Sequence, residues 1–188
     1  TVYGLGARAD DDAAVAGIFA AKGRPADHQL IVHVASLDDA RHFGDLSGAA
    51  ATLLAQRYWP GPLTLIVPRQ PGVATASAAG QSSIGLRMPS HPVARALLQA
   101  ASALGVRGVS APSANRFGRI SPTQAAHVAS EFGPGLLVLD GGDCDLGIES
   151  TIIDCTRGAP ALLRPGMLDS ATLQAALGAP LRGAGDDA

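Results

Sequence analysis

Two apolar, β-prone runs, residues 150–154 (STIID) and 161–163 (ALL), lie only six residues apart. A gap that short admits a hairpin, not the crossover that joins parallel strands. Elsewhere in the 188 residues, strand-like and helix-like segments interleave, as in an α/β sheet covered by helices. One sheet must therefore contain both senses of pairing. The length fits one domain. The expected fold is a single α/β domain, a twisted mixed parallel/antiparallel sheet with flanking helices.

Local signals place the elements. Residues 10–21 read as a helix, with acidic residues in the first turn and Gly23 just past its end. Further helices are expected at 36–43, with Ser36 as N-cap and Asp39 at the capping-box position, at 48–59, ending before Pro60, and at 93–104 and 172–177. Another should span 121–132, with Ser121 as cap and Pro122 at its first position. Strands are expected at 30–34 (LIVHV), after the turn in WPGPLTLIVP (59–68), and at 83–88, 108–110 and 136–139. Residues 72–81 read as a mobile loop of small residues, and 111–120 as a loop of turn formers. The chain opens in mid-element, so a strand is expected to be missing at the N-terminus. The domain is expected over 1–178, with 179–188 a flexible tail or the start of a linker.

Composition excludes several classes. Fourteen basic and 16 acidic residues give a net charge of -2, which argues against a broadly basic nucleic-acid coat but not against a small cationic pocket. No apolar run reaches the ~18 residues of a membrane span. Cys144 and Cys155 are too few for a disulfide scaffold and lack the paired spacing of a zinc site. No leader is read at the N-terminus, and a reducing, cytoplasmic location is expected. There is no P-loop, no dinucleotide fingerprint and no HExxH. The 14 basic residues are 13 arginines and one lysine, Lys22. Lysine is a compact point charge where arginine is a planar fork.

Two polar loops stand out. Lys22-Gly23-Arg24-Pro25 sets two cations two residues apart on a turn whose glycine lets a ligand approach the backbone. Pro112-Ser113-Ala114-Asn115 sets a hydroxyl and an amide at the same spacing, which shares a face in extended chain. Cations with neutral donors suit a phosphate chain. The same residues also fit a solvated helix C-terminus and ordinary turn formers. His33, alone in an apolar strand, reads as a core histidine.

The motifs TVYGLG, KGRP, LIVHV, WPGPLT, GLRMPSHP, PSAN followed by SPT, GIESTIID and LRPG occur in this order. Together, from residue 1 to about 166, they resemble the YrdC-like threonylcarbamoyl-AMP synthase family. The resemblance implies the YrdC-like fold with a concave, cationic cleft. It implies that L-threonine, bicarbonate and ATP, with Mg²⁺, give threonylcarbamoyl-AMP and pyrophosphate for threonylcarbamoyl-adenosine modification of tRNA. Lys22, Arg24, Ser113 and Asn115 match the catalytic, phosphate-holding tetrad. Ser83, Thr123 and Arg164 match further ATP contacts, and Thr1, His33, Arg87 and Ser150 match threonine-binding positions. Where the family often has Asn-Pro-Leu, this chain has His28-Gln29-Leu30, so His28 takes the place of a polar ATP contact. The resemblance further implies a downstream threonylcarbamoyl-transferase acting on tRNA, with direct RNA binding not required, and no membrane. Two other readings compete: an RNA-binding module using the cationic cleft, and a carbamoyl-adenylate-forming domain of a hydrogenase-maturation protein.

Overall fold

The computed structural model describes residues 2–145 and 147–186. Among the described residues, eight strands form one sheet: β1 (Ala7–Arg8), β2 (Ile31–Val34), β3 (Leu63–Pro68), β4 (Ser83–Arg87), β5 (Gly108–Ser110), β6 (Thr151–Asp154), β7 (Ala161–Arg164) and β8 (Arg182–Gly183). The helices of the described residues are α1 (Asp12–Lys22), α2 (Leu37–Phe43), α3 (Ala49–Tyr58), α4 (Pro92–Ala103), α5 (Ala125–Phe132) and α6 (Ser170–Leu177).

The strand order is β1-β5-β2-β4-β3-β6-β7-β8. Pairs β2/β4, β3/β6 and β7/β8 are parallel, while β1/β5, β2/β5, β3/β4 and β6/β7 are antiparallel. The sheet is mixed, as the short 154–161 gap requires. β8 lies within the segment expected as a tail or linker, and it extends the sheet at the β7 edge.

Phe43, Leu54, Leu65, Leu86 and Ile153 are fully enclosed in the main core, which joins the central strands to α2, α3 and α6. A second cluster sets Val15, Ile18 and Phe19 of α1 against Leu5, Leu30, Ala114 and Val128 of α5. This second cluster anchors the two loops that bear the polar motifs. Caps follow local chemistry. Asp11 accepts from the Ala14 N–H at 3.0 Å, and Ser36 from the Asp39 N–H at 3.1 Å, satisfying otherwise orphaned donors. The Asp39 carboxylate turns away to accept from Ser102 Oγ at 2.8 Å.

Three local expectations differ. The helix expected at 121–132 begins at Ala125, after Gln124. The Pro122 carbonyl instead accepts from the Tyr3 N–H at 3.0 Å, and that of Thr123 from the Cys144 N–H at 2.9 Å. Tertiary partners thus hold SPT out of the helix. Residues 136–139 are not a strand. Leu136 and Val138 face the second cluster, Leu137 and Leu139 are exposed, and alternation without a partner edge makes no ladder. The 72–81 segment, expected as mobile, coils through turns with Ala74, Ser77 and Ala78 buried. Ser77 Oγ donates to the Ala9 carbonyl at 2.9 Å and lies 2.7 Å from Ser110 Oγ. Among the described residues, no helix is long and apolar enough to cross a membrane.

Candidate active site

α1 ends at Gly23 in the left-handed region (φ +62°), a conformation cheap only for glycine. The Gly23 N–H donates to the Ala20 carbonyl and that of Arg24 to Phe19, closing the helix and sending Lys22 inward. Lys22 is buried, 3% exposed, which removes the reading of a solvated helix end. Its Nζ donates to the carbonyl oxygens of Ser113 and, at 2.5 Å, Asn115. The Asn115 amide donates to the carbonyls of Arg116 and Arg119, each at 2.8 Å. Its Oδ1 is buried without a partner.

Carbonyl partners orient an ammonium without cancelling its charge. Burial, and then the neighbouring Arg24, lower the Lys22 pKa to about 8, because both disfavour the charged form. Burial also lowers the Arg24 pKa, while Glu149 opposes the shift. Arg24 Nε donates to His28 Nδ1 at 3.2 Å, and the His28 ring tilts against Phe117 with centroids 5.6 Å apart. Lys22, Arg24, His28, Ser113, Asn115 and Arg164 line one open cleft of about 650 Å³. Four cations and two carboxylates share its wall, with Arg119 completing the first set and Asp27 and Glu149 forming the second. The cleft is net cationic in a chain of net charge -2.

A second group of polar side chains lies inside the sheet. His33 of β2 and Arg87 of β4 are register partners. Arg87 is 5% exposed and its Nε donates to the Gly61 carbonyl at 3.1 Å. Burial and then Arg164 lower its pKa to about 10. His33 is driven to about 4, by burial first and then by Arg87. It is therefore a neutral imidazole at pH 7, and its Nδ1 is buried without a partner. Ser150 is buried, with Oγ 2.7 Å from Thr64 Oγ1. Arg164 Nη2 donates to Ser150 Oγ at 3.1 Å and Nε to the Ser150 carbonyl at 3.0 Å. Arg164 thereby joins the inner group to the cleft.

The expected residues Ser83 and Thr123 do not line the cleft. The Ser83 carbonyl accepts from Gln29 Nε2 at 2.7 Å, and Gln29 does line it. Thr1 lies outside the described residues. Among those residues, no group of three or more His, Cys, Asp or Glu side chains could hold a metal ion.

A net cationic cleft and a buried group of Arg87, His33 and Ser150 are thus linked through the Arg164–Ser150 hydrogen bonds. The family model Sua5/YciO/YrdC, described as telomere recombination, matches residues 1–166. The chain belongs to the Sua5/YciO/YrdC family. Within it, the chain is 45% identical over 179 residues to the threonylcarbamoyl-AMP synthase of Pyrococcus abyssi, covering 95% of this chain and 52% of that one. It is 43% identical over 183 residues to the threonylcarbamoyl-AMP synthase of Bacillus subtilis, covering 95% of this chain and 51% of that one. The fold superposes on the crystal structure of P. abyssi Sua5 complexed with L-threonine with a TM-score of 0.91 and 41% identity, covering all of this chain and 55% of that one. The chain spans about half the length of these curated relatives.

In this Sua5/YciO/YrdC member, Thr64 of WPGPLT and Glu149 of GIESTIID carry no local sequence signal of a role. Thr64 reads as one more β-branched strand residue and Glu149 as a strand-end carboxylate. Only their partners, 86 and 15 residues away in sequence, distinguish them.

Proposed function

We propose that this chain is the synthase domain of an L-threonylcarbamoyladenylate synthase, converting L-threonine, bicarbonate and ATP to threonylcarbamoyl-AMP and pyrophosphate. The observation that carries the reading is the buried Lys22 ammonium, held by two carbonyls on the wall of a cleft that it shares with Arg24 and with Arg164, whose guanidinium also holds Ser150.

In this reading the amino group of threonine adds to the bicarbonate carbon and water leaves, giving a carbamate. A carbamate oxygen attacks the α-phosphorus of ATP, and the bond to the bridging oxygen breaks as pyrophosphate departs. Negative charge gathers on phosphoryl oxygens, where pre-placed cations stabilise the transition state. Lys22, Arg24 and Ser113 hold the phosphates, with Arg164 beside them, and Asn115 shapes that wall by donating its amide to the Arg116 and Arg119 carbonyls. Ser83 (through its neighbour Gln29), His28 and Thr123 serve the rest of the nucleotide. Arg87 binds the amino-acid carboxylate, His33 and Ser150 orient the remainder, and Thr1 matches a further threonine-binding position of the family. Mg²⁺ arrives with ATP as part of the substrate. The acyl-adenylate passes to a threonylcarbamoyl-transferase acting on tRNA in the cytoplasm, and RNA binding by this domain is not required.

The test is incubation with ATP, Mg²⁺, threonine and bicarbonate. Pyrophosphate and a threonylcarbamoyl-adenylate mass, both requiring threonine, are expected. Turnover with carbamoyl phosphate in place of threonine and bicarbonate would reassign the domain. Salt-sensitive RNA binding without nucleotide turnover would leave it a binding module.

A further inference from the structure

Arg164 ends β7, and the β6–β7 hairpin folds its guanidinium back over the residues that lead into β6. Three of its donors are in use there. Nε and Nη2 go to Ser150, which is buried and further held by Thr64. Nη1 donates to Glu149 Oε2 at 2.5 Å. The two anchors differ in kind. Ser150 is neutral and buried at the entry to β6. The Glu149 side chain is 43% exposed and stands on the cleft wall.

Glu149 also has reach. It favours the charged forms of both Lys22 and Arg24. The other carboxylate on the wall, Asp27, forms no ion pair with a cleft cation among the described residues, whereas Glu149 pairs with Arg164. Arg164 in turn crowds Arg87, helping to depress its pKa. An anion on Arg164 therefore relieves a site that otherwise collects cations.

We propose that Glu149 is a displaceable counter-anion: its carboxylate occupies the cleft-facing arm of Arg164 until a phosphate group of the nucleotide takes its place. The proposal rests on reading the cleft as a phosphate site. Ser150 keeps hold of the guanidinium through the exchange, since a guanidinium carries five N–H donors and only one arm changes partner. Glu149 is thus a positioning residue. It keeps Arg164 in its bound orientation and sets a threshold that a weak anion does not overcome.

The experiment compares wild type, Glu149→Gln and Asp27→Asn in calorimetric binding of inorganic pyrophosphate and of ATP, each with and without Mg²⁺, at two salt concentrations. Without Mg²⁺, Glu149→Gln should bind pyrophosphate about threefold to fivefold more tightly, the scale of a partly exposed ion pair. The gain should shrink as salt rises. Loss of a merely structural residue would not tighten binding. Asp27→Asn should change it less. Unchanged or weaker binding by Glu149→Gln overturns the proposal, as does weakening confined to the Mg²⁺ experiments, which would make Glu149 a metal partner. An equal gain in Asp27→Asn also overturns it, because the effect would then be net charge alone. If wild type binds neither ligand, the phosphate reading of the cleft fails and the proposal with it. That outcome differs from failure of the proposal alone, in which wild type binds normally.

Discussion

Lys22 Nζ donates to the backbone carbonyl of Asn115 at 2.5 Å, across 93 residues of sequence. The chain's one lysine therefore both fastens the PSAN loop to the end of α1 and supplies charge to the cleft. Lys22→Ala should lower adenylate formation at least tenfold, the loss of about 1.4 kcal/mol of transition-state stabilisation. It should also reduce folding stability by about 1–3 kcal/mol, because two enclosed carbonyls lose their donor. Steady-state rates with a denaturant titration check both. Wild-type turnover would remove Lys22 from the phosphate site.

The Lys22 pKa of about 8 gives binding a pH signature. Below it the ammonium is charged, and above it the charge is lost, so pyrophosphate affinity should fall as pH rises through about 8. A bound anion favours the charged form, so binding near pH 8 should take up protons. Calorimetry in buffers of different ionisation enthalpy measures that uptake. No uptake, with flat affinity from pH 7 to 9, would contradict the assignment.

His33 has the opposite exposure to pH. Its folded pKa of about 4 lies below the ordinary 6.5, so between those values the unfolded chain holds a proton that the folded chain does not. Stability then rises with pH across the window and falls on acidification from 6.5 toward 4. His33→Gln should flatten that slope. Urea midpoints at pH 4.5, 5.5 and 6.5 for both proteins decide it.

Arg87 and Ser150 should divide the labour of amino-acid selection. Arg87 meets the carboxylate common to threonine, serine and valine, so Arg87→Ala should weaken threonine and serine alike and leave their ratio nearly unchanged. Valine leaves a polar pocket unsatisfied and should be essentially inert, whereas serine lacks one methyl and loses only ~1–3 kcal/mol. Ser150→Ala should narrow the threonine–valine gap. It should also weaken ATP binding, because it releases Arg164 Nη2. Competition assays at fixed ATP and bicarbonate read all of these.

Gly166 in LRPG has no room for a side chain. A Cβ there would come within 2.5 Å of Thr151 N and 2.7 Å of the Glu149 carbonyl, both backbone atoms. Gly166→Ala should therefore push the 149–151 segment, costing about 1–3 kcal/mol of stability and shifting Arg164 with it. Thermal melts and ATP binding should fall together.

Much of this protein was legible in its residues because it depends on neighbours in sequence. The Gly23 turn, the Ser36 cap and the short 154–161 gap dictate a helix end, a helix start and a hairpin through local sterics and unpaired backbone donors. The mixed sheet follows from that gap, and the family resemblance carried by the motifs implies a common site for Lys22, Arg24, Ser113, Asn115 and Arg164, which line one cleft. Tertiary structure decided what needs distant partners. Tyr3 holds Pro122 out of the helix that its sequence would start. Residues 136–139 alternate like a strand but meet no free edge. Lys22 is buried because a loop some 90 residues on in sequence offers it two carbonyls. Thr64 and Glu149 acquire a role only when the β3/β6 and β6/β7 pairings bring them to Ser150 and Arg164. Local propensity cannot specify such contacts, since their energies appear only once the intervening chain has closed.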